Sequence, residues 1–200
     1  TKVVTIEKGS IGDRAYTANW KSNSDVVYHV QYYLEKLDSN DSNNPNNYDL
    51  DKDEELFGET EKFVKAVKKD YVGFVYDENN SNNVEEGNIA GNGSLILKLY
   101  YKRNSYNLKL NNDENIKEVV GAGVYKYGEN VNISAVLKEE IGYTITFVKW
   151  NSNNTNLLED KFNKEETFVM PAGNVELTAK ASKVANKVKY TVFYYYQKDG

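Results

Sequence analysis

The sequence predicts an α+β fold that is predominantly β and is divided into small modules in tandem. Three observations predict it: stretches rich in β-branched and aromatic residues occur along the chain, asparagine-rich clusters separate them, and one strand pattern recurs. The recurring pattern is Tyr-x-Val-x-Tyr-Tyr, which begins at Tyr28 and again at Tyr190, and a related start lies between them at Tyr106. We therefore expect two whole modules of about 80 residues, flanked by pieces of others.

These starts define the domain organisation. Residues 1–23 are predicted to be the C-terminal tail of a preceding repeat, and residues 24–104 and 105–182 the two whole modules. Residues 183–200 are predicted to be a linker and the first strand of a following module. Joints such as Lys-Arg-Asn-Ser, residues 102–105, are short, so we expect the modules to be arranged as a rod.

The first whole module opens with a strand at residues 26–34, where β-branched and aromatic residues alternate with polar ones. Residues 48–67 fit either a helix, by the spacing of their last apolar residues, or strands separated by a turn at Gly58. A short strand is expected at residues 71–77. In the final strand, Leu95, Leu97, Leu99 and Tyr101 are predicted to share one face.

The second whole module opens with a short strand at residues 106–110. In the next strand Val131, Ile133, Ala135 and Leu137 alternate with polar residues and are predicted to share one face. A further strand is expected at residues 142–150. Residues 156–166 are compatible with a short helix capped by Asn156.

The only methionine of the chain directly precedes one of its two prolines, and this pair marks a turn before the last strand. Pro171 presets the backbone angle for the second position of a tight turn, and Gly173 or Asn174 is expected to take positive φ at its end. Met170 is expected to fill an irregular gap in the core. Val175 then begins a strand in which apolar and polar residues alternate.

Composition restricts the classes of function. The net charge is −5, with 25 basic and 30 acidic residues, which argues against a general nucleic-acid binder. The chain has no cysteine, so disulfides, zinc–thiolate sites and cysteine nucleophiles are excluded. No apolar run approaches the ~20 residues of a membrane helix, so we expect no membrane insertion. The N-terminal segment lacks the pattern of a secretory signal.

The segments GYTITFVKW and FVMPAGNVELTAKA carry a resemblance to the Listeria–Bacteroides repeat, an internalin B-repeat-like module. The matching residues are Gly142, Tyr143, Phe147, Trp150, Met170, Pro171, Ala172 and Val175. The spacing from Gly-Tyr to Phe is longer than in the usual pattern, so this copy resembles the divergent branch. The segment KGSIGDRAYTANWK, from Lys8 to Lys21, resembles the end of an ordinary copy.

The first whole module resembles the mucin-binding-protein-like repeat of Gram-positive surface proteins. The matching segments are YHVQYYLE, the Gly58–Glu59 pair, YVGF and GSLILKLYYKR. Together the two resemblances imply tandem β-grasp-like modules of large surface or secreted proteins. No defined ligand residues are carried over by either one.

Tyrosines are the weak candidates for binding. The adjacent pairs Tyr32–Tyr33 and Tyr100–Tyr101 lie on predicted strands, as does the run Tyr194–Tyr196. Because neighbours on a strand face opposite sides, one member of each pair is a candidate to stack on a sugar or to anchor a protein. The alternative, which we favour, is that these rings cover small sheets and module joints.

We predict no catalytic residues, no metal site and no cofactor. The single histidine, His29, has no second histidine or cysteine with which to form a triad or a transition-metal site. Asp49, Asp51 and Asp53 alternate like the start of a calcium loop, but Glu54 occupies the glycine position. Acidic pairs such as Glu54–Glu55 and Glu139–Glu140 are expected to be solvated. A Lys–Asn or Lys–Asp isopeptide cross-link depends on a geometry that the sequence does not show.

From these features we expect a non-catalytic repeat segment of a Gram-positive cell-surface or secreted protein, acting as a spacer or stalk and in adhesion. The alternative is an accessory module, or a glycan- or protein-binding module, of a large secreted hydrolase or peptidase. The expected partners are neighbouring modules of the same chain and a host glycan or host surface protein. We expect an extracellular location and no nucleic-acid partner.

Overall fold

The computed structural model describes residues 3–17, 21–154, 156–198 and 200. The strands of the first module are β1 Val26–Glu35, β2 Tyr48–Gly58, β3 Phe63–Lys65, β4 Phe74–Tyr76, β5 Glu86–Asn88 and β6 Ile96–Arg103. Those of the second module are β7 Ser105–Asn112, β8 Ile116–Val120, β9 Gly123–Lys126, β10 Asn130–Leu137, β11 Tyr143–Ser152, β12 Glu165–Val169 and β13 Val175–Ala185. In the described residues, one 3-10 turn at Pro45–Asn47 is the only helical element. The predicted β-rich character is confirmed, and the helical share expected under α+β is limited to that turn.

Both modules contain a four-stranded mixed sheet with the same strand order. In the first module the order is β2-β1-β6-β4, and in the second it is β9-β7-β13-β11. In each sheet the strands that come first and last along the chain are parallel neighbours at the centre of the sheet. These are β1 and β6 in the first module and β7 and β13 in the second. Each of them is flanked by an antiparallel strand on its other side. A smaller sheet accompanies each large one: β3-β5 in the first module and β12-β10-β8 in the second.

Each module has its own apolar cluster. The first contains Val30, Tyr32, Ala66, Leu97, Leu99 and Tyr101. The second contains Leu108, Ile116, Val131, Ile133, Ala135, Trp150, Phe168, Met170, Val175, Leu177 and Ala179. The shared faces predicted for the strand ending at Tyr101 and for the strand beginning at Val131 are therefore confirmed.

Two asparagine-rich loops of the first module, around residues 42–43 and 80–81, are hydrogen-bonded to each other. Asn80, which is buried, donates from Nδ2 to the Ser42 carbonyl at 2.6 Å and to the Tyr48 hydroxyl at 2.9 Å. Asn43 accepts from the backbone N–H of Ser81 at 3.1 Å. Amide side chains supply both donors and acceptors, so the clusters that the sequence marks as loops also hold those loops together.

The Met-Pro turn is built differently from the tight turn that we expected. Met170 is fully buried in the core of the second module, which confirms its predicted role. Gly173 instead donates to the Pro171 carbonyl at 2.9 Å, and neither Gly173 nor Asn174 has positive φ. The prediction of positive φ there was wrong, because the turn closes within three residues and needs no left-handed position.

Two sequence ambiguities are also resolved. Residues 48–67 form β2 and β3, so the helical alternative was wrong. The described residues from 156 to 164 form turns, not a helix capped by Asn156, while Leu157 and Leu158 pack against the core. Position 155 lies outside the described residues. Tertiary burial of a few apolar side chains has overridden the local helical preference.

The described residues at the two ends of the chain form no strands. Residues 3–17 and 186–198 have no regular secondary structure, and their described side chains are exposed. The predicted repeat end from Lys8 to Lys21 lies partly outside the described residues, at positions 18–20. Within the described part of the chain, no helix is long and apolar enough to cross a membrane.

Candidate functional site at the junction between the modules

The connection between the two modules is a single residue. Strand β6 ends at Arg103 and β7 begins at Ser105, so Asn104 alone lies between them. Its backbone N–H donates to the Gly73 carbonyl of the first module at 2.9 Å. Its carbonyl accepts from the backbone N–H of Tyr127, in the second module, at 2.8 Å. Both backbone groups of the connecting residue are therefore fixed, one by each module.

Arg103 joins the two modules through its side chain. Its Nε donates to the Glu35 carbonyl at 2.7 Å, and its Nη1 donates to the Tyr127 carbonyl at 2.8 Å. The guanidinium carbon also lies 4.8 Å from the centroid of the Phe74 ring, within the range of a cation–π contact. The planar, five-donor group of arginine suits this task, because one side chain reaches acceptors in two directions.

A buried carboxylate forms the ionic part of the same contact. Glu35, at the end of β1, is only 7% exposed. One of its oxygens accepts from the Arg103 backbone N–H at 2.8 Å, and the other lies 3.1 Å from Nζ of Lys126 in the second module. The same Nζ is 3.4 Å from the Ser39 carbonyl. Both carboxylate oxygens are satisfied, which is the condition under which a buried charge is tolerated.

The apolar part of the contact is an aromatic pair. The rings of Phe74 and Tyr127 meet edge to face, with centroids 5.7 Å apart. Gly73 has φ +78°, and a Cβ at this position would lie 2.1 Å from the Tyr127 ring. A glycine is therefore required at position 73 for two reasons: its backbone is left-handed, and the Tyr127 ring leaves no room for a side chain.

We call this set of residues the junction. It comprises Glu35, Gly73, Phe74, Arg103, Asn104, Lys126 and Tyr127. The short joint that contains Arg103 and Asn104 is visible in the sequence, but the other members are not. They are distant in sequence from the joint and come together only through sheet topology, and no local pattern marks them.

The candidate binding tyrosines of the first module lie mostly in the interior. Tyr32 and Tyr101 are each 1% exposed and belong to the core cluster, and Tyr100 is 3% exposed on the other face of the sheet. Tyr33 is partly exposed and stacks on Tyr100, with centroids 4.6 Å apart. Its hydroxyl donates to Oε1 of Gln31 at 2.8 Å. Of the four, Tyr33 has the most surface to offer a ligand.

The acidic side chains of β2 form ion pairs and hydrogen bonds on opposite faces of their strand. Asp53 accepts from Gln31 at 2.8 Å and contacts Nδ1 of His29 at 2.8 Å, and these two hydrogen bonds lower the pKa of Asp53. Glu54, on the other face, contacts Lys52 and Lys69. Hydrogen bonds from Lys52 and then Lys69 lower the pKa of Glu54 to about 2. Both carboxylates are thus held ionised by their partners.

The remaining acidic candidates do not converge. Glu54 and Glu55 are neighbours on a strand and so face opposite sides, and Glu140 pairs with Lys183 on β13. Among the described residues, no group of three or more acidic or histidine side chains has the geometry to hold a metal ion, and Asp49 and Asp51 lie exposed along β2.

The second module is similar to a known family of domains. Residues 106–185 match the family model of the divergent InlB B-repeat domain, which confirms the resemblance to the Listeria–Bacteroides repeat. This is a family of repeat domains found in surface or secreted bacterial proteins. No curated protein and no solved structure matches the chain. The mucin-binding-like resemblance of residues 24–104 stays a prediction.

Proposed function

We propose that this chain is a non-catalytic spacer segment of a bacterial surface protein, in which small modules are held in fixed relative orientation. The junction is the observation that carries this proposal. A flexible linker would let two modules adopt many orientations, whereas a one-residue connection with both backbone groups bonded leaves little freedom. The family match of residues 106–185 supports the proposal that the segment belongs to a bacterial surface protein, because that family consists of repeat domains of surface proteins.

We further propose that both modules are β-grasp-like and are arranged as a rod in a Gram-positive surface protein. The common sheet order supports a shared fold for the two modules, since the parallel central pair recurs in each. In each module a small second sheet accompanies the large one. Small modules bury modest cores, so stacking them end to end extends a chain without needing one large core.

Binding of a host glycan or a host surface protein is the second proposed function, with adhesion as its result. Tyr33 is its best candidate, because a partly exposed aromatic ring can contact a sugar ring or a protein pocket. The test is a glycan array, or immobilised host surface protein, probed with the chain and with Tyr33→Ala. Binding that is lost in the variant supports adhesion, and equal signals from both chains count against Tyr33 as the contact.

The spacer function is tested by measuring the distance between the modules. Because the chain has no cysteine, Glu55→Cys on β2 and Glu118→Cys on β8 introduce two unique sites for spin labels on exposed positions. Pulsed electron–electron double resonance then gives the distribution of distances between the two spin labels. We expect one narrow peak for the natural junction.

The matched control inserts Gly-Ser-Gly-Ser after Asn104 and keeps both labels. Flexible linkers of this composition behave as random coils, so we expect a broad distribution and a changed mean. If the natural chain gives a distribution as broad as that of the insertion, the modules are not held in one orientation and the spacer proposal fails.

A further inference from the structure

The C-terminal segment is the largest exposed apolar feature of the described chain that its fold leaves without a partner. Tyr194, Tyr195 and Tyr196 are 77%, 90% and 91% exposed, and Val192 and Phe193 are also exposed. Soluble proteins rarely present so many aromatic side chains in one contiguous stretch unless another surface covers it. The residue pattern of the segment, which it shares with β1, indicates which kind of surface would cover it.

We infer that residues 188–198 form the central first strand of a module of the same type as residues 24–104. In that position the segment would lie between two partner strands, as β1 lies between β2 and β6. The partner is therefore a strand pair equivalent to β2 and β6, in further polypeptide of the same repeat type. This inference is independent of the proposed spacer function, because it rests on the residue pattern of β1 alone.

The alignment with β1 matches at the buried apolar positions of that strand. When Tyr28 is aligned with Tyr190, the buried residues Val26, Val30 and Tyr32 fall on residues of the same type in the segment. The identical residues are Val188, Tyr190, Val192, Tyr194, Tyr195 and Lys198. The differences at 189, 191 and 193 fall on β1 positions whose side chains lie on the opposite face from the core, and the difference at 196 replaces the half-buried Leu34 with another large side chain, tyrosine. A one-residue slip would reverse these faces, so the agreement specifies a register.

One difference between the two strands falls on the junction. Glu35, the buried acid that accepts from Arg103 and faces Lys126, aligns with Gln197. A glutamine oxygen still accepts from a backbone N–H, but it carries no charge for a facing lysine. The next junction along the chain is therefore expected to keep the hydrogen bond and to lose the ion pair.

The experiment grafts the segment onto β1 in the full chain, where the partner strands are present. Five substitutions convert residues 26–36 to the sequence of residues 188–198: Val27→Lys, His29→Thr, Gln31→Phe, Leu34→Tyr and Glu35→Gln. Hydrogen exchange of the Leu97 and Leu99 amides on β6 reports whether β1 is in place. We expect protection factors within about tenfold of those of the natural chain.

The matched control is the same graft shifted by one residue, with residues 187–197 placed at positions 26–36. It has nearly the same composition but turns the apolar residues to the wrong face, and we expect β6 protection to fall by at least about a hundredfold. A second graft that retains Glu35 separates the loss of the ion pair from the fit of the strand. Equal loss of protection in the aligned and shifted grafts overturns the inference, and so does equal retention in both.

Discussion

Replacing Arg103 with alanine should weaken the contact that fixes the relative orientation of the two modules, without unfolding either module. The substitution removes the Nε bond to Glu35, the Nη1 bond to Tyr127 and the contact with Phe74. It keeps the backbone N–H that donates to the Glu35 carboxylate, because alanine has the same backbone. Of the lost interactions, only the Nη1 bond to Tyr127 crosses to the second module; the bond to Glu35 and the contact with Phe74 lie within the first module and hold the guanidinium in position.

The size of the effect follows from these three interactions. A hydrogen bond from a charged donor contributes about 1 kcal/mol net when, as here, the side chain is partly solvated, and the cation–π contact contributes about 0.5–1 kcal/mol. Only the Tyr127 hydrogen bond, about 1 kcal/mol, crosses between the modules. Since 1.4 kcal/mol corresponds to tenfold, the open junction should become populated about 5 times more often.

The assay is the distance distribution between spin labels at Glu55→Cys and Glu118→Cys. We expect Arg103→Ala to broaden the distribution toward that of the Gly-Ser insertion, while circular dichroism stays that of a β protein. Arg103→Lys should give an intermediate width, because lysine keeps the charge but lacks the fork that reaches both carbonyls. Arg14→Ala, at the exposed second arginine of the chain, is the matched control and should leave the distribution unchanged.

The reasoning would be refuted by a particular pair of results. If Arg103→Ala left the width of the distribution unchanged while the insertion broadened it, the side chain would not be what fixes the orientation. The backbone bonds of Asn104 and the Phe74–Tyr127 ring contact would then suffice.

Three further predictions concern the modules themselves. Met170→Ala should lower the free energy of unfolding of the second module by about 2–5 kcal/mol, because it opens a cavity in a fully buried site. This free energy is measured by urea denaturation followed by Trp150 fluorescence, in a Trp20→Phe background that leaves one tryptophan. Asn80→Ala should destabilise the first module by about 1–3 kcal/mol in the same denaturation followed by circular dichroism, because it removes a buried amide that donates to the Ser42 carbonyl and to the Tyr48 hydroxyl, whereas the exposed Asn→Ala change at position 79 should cost less than about 0.5 kcal/mol. The folded-state pKa of Glu54 lies below its ordinary value of 4.5, so its ionised form stabilises the fold above that pH, and this contribution is lost as pH falls toward about 2. With solvent screening it is on the order of 1 kcal/mol, and Glu54→Gln should flatten the stability of the first module across that pH range; an unchanged pH profile would contradict the ion-pair assignment.

Alternation of apolar and polar residues predicted the parts of the fold that bury one face of a strand. The strands that contain Leu97, Ile133 and Val175 were placed, and their core faces identified, because strand side chains alternate with a period of two. The Met-Pro pair correctly marked the start of the last strand. Local pattern suffices where one strand faces one core.

The same reasoning was weaker where long-range contacts decide. The apolar spacing at residues 63–67 left a helix possible, but pairing of β3 with β5 makes it a strand. The tyrosine pairs were equally ambiguous, since the sequence does not tell that both faces of the sheet are covered at Tyr100 and Tyr101. The junction was beyond prediction for the same reason: Glu35 and Tyr127 both contact the Arg103 side chain only because the tertiary fold brings them there.

The parallel pair at the centre of each sheet determines how a module carries load. The chain enters a module at the start of its first strand and leaves at the end of its last, and these strands run side by side in the same direction. Tension on the polypeptide therefore pulls the two strands lengthwise past each other, so their hydrogen bonds must break together and not one after another. A module built this way should resist being pulled apart from its two ends better than one whose terminal strands separate one hydrogen bond at a time.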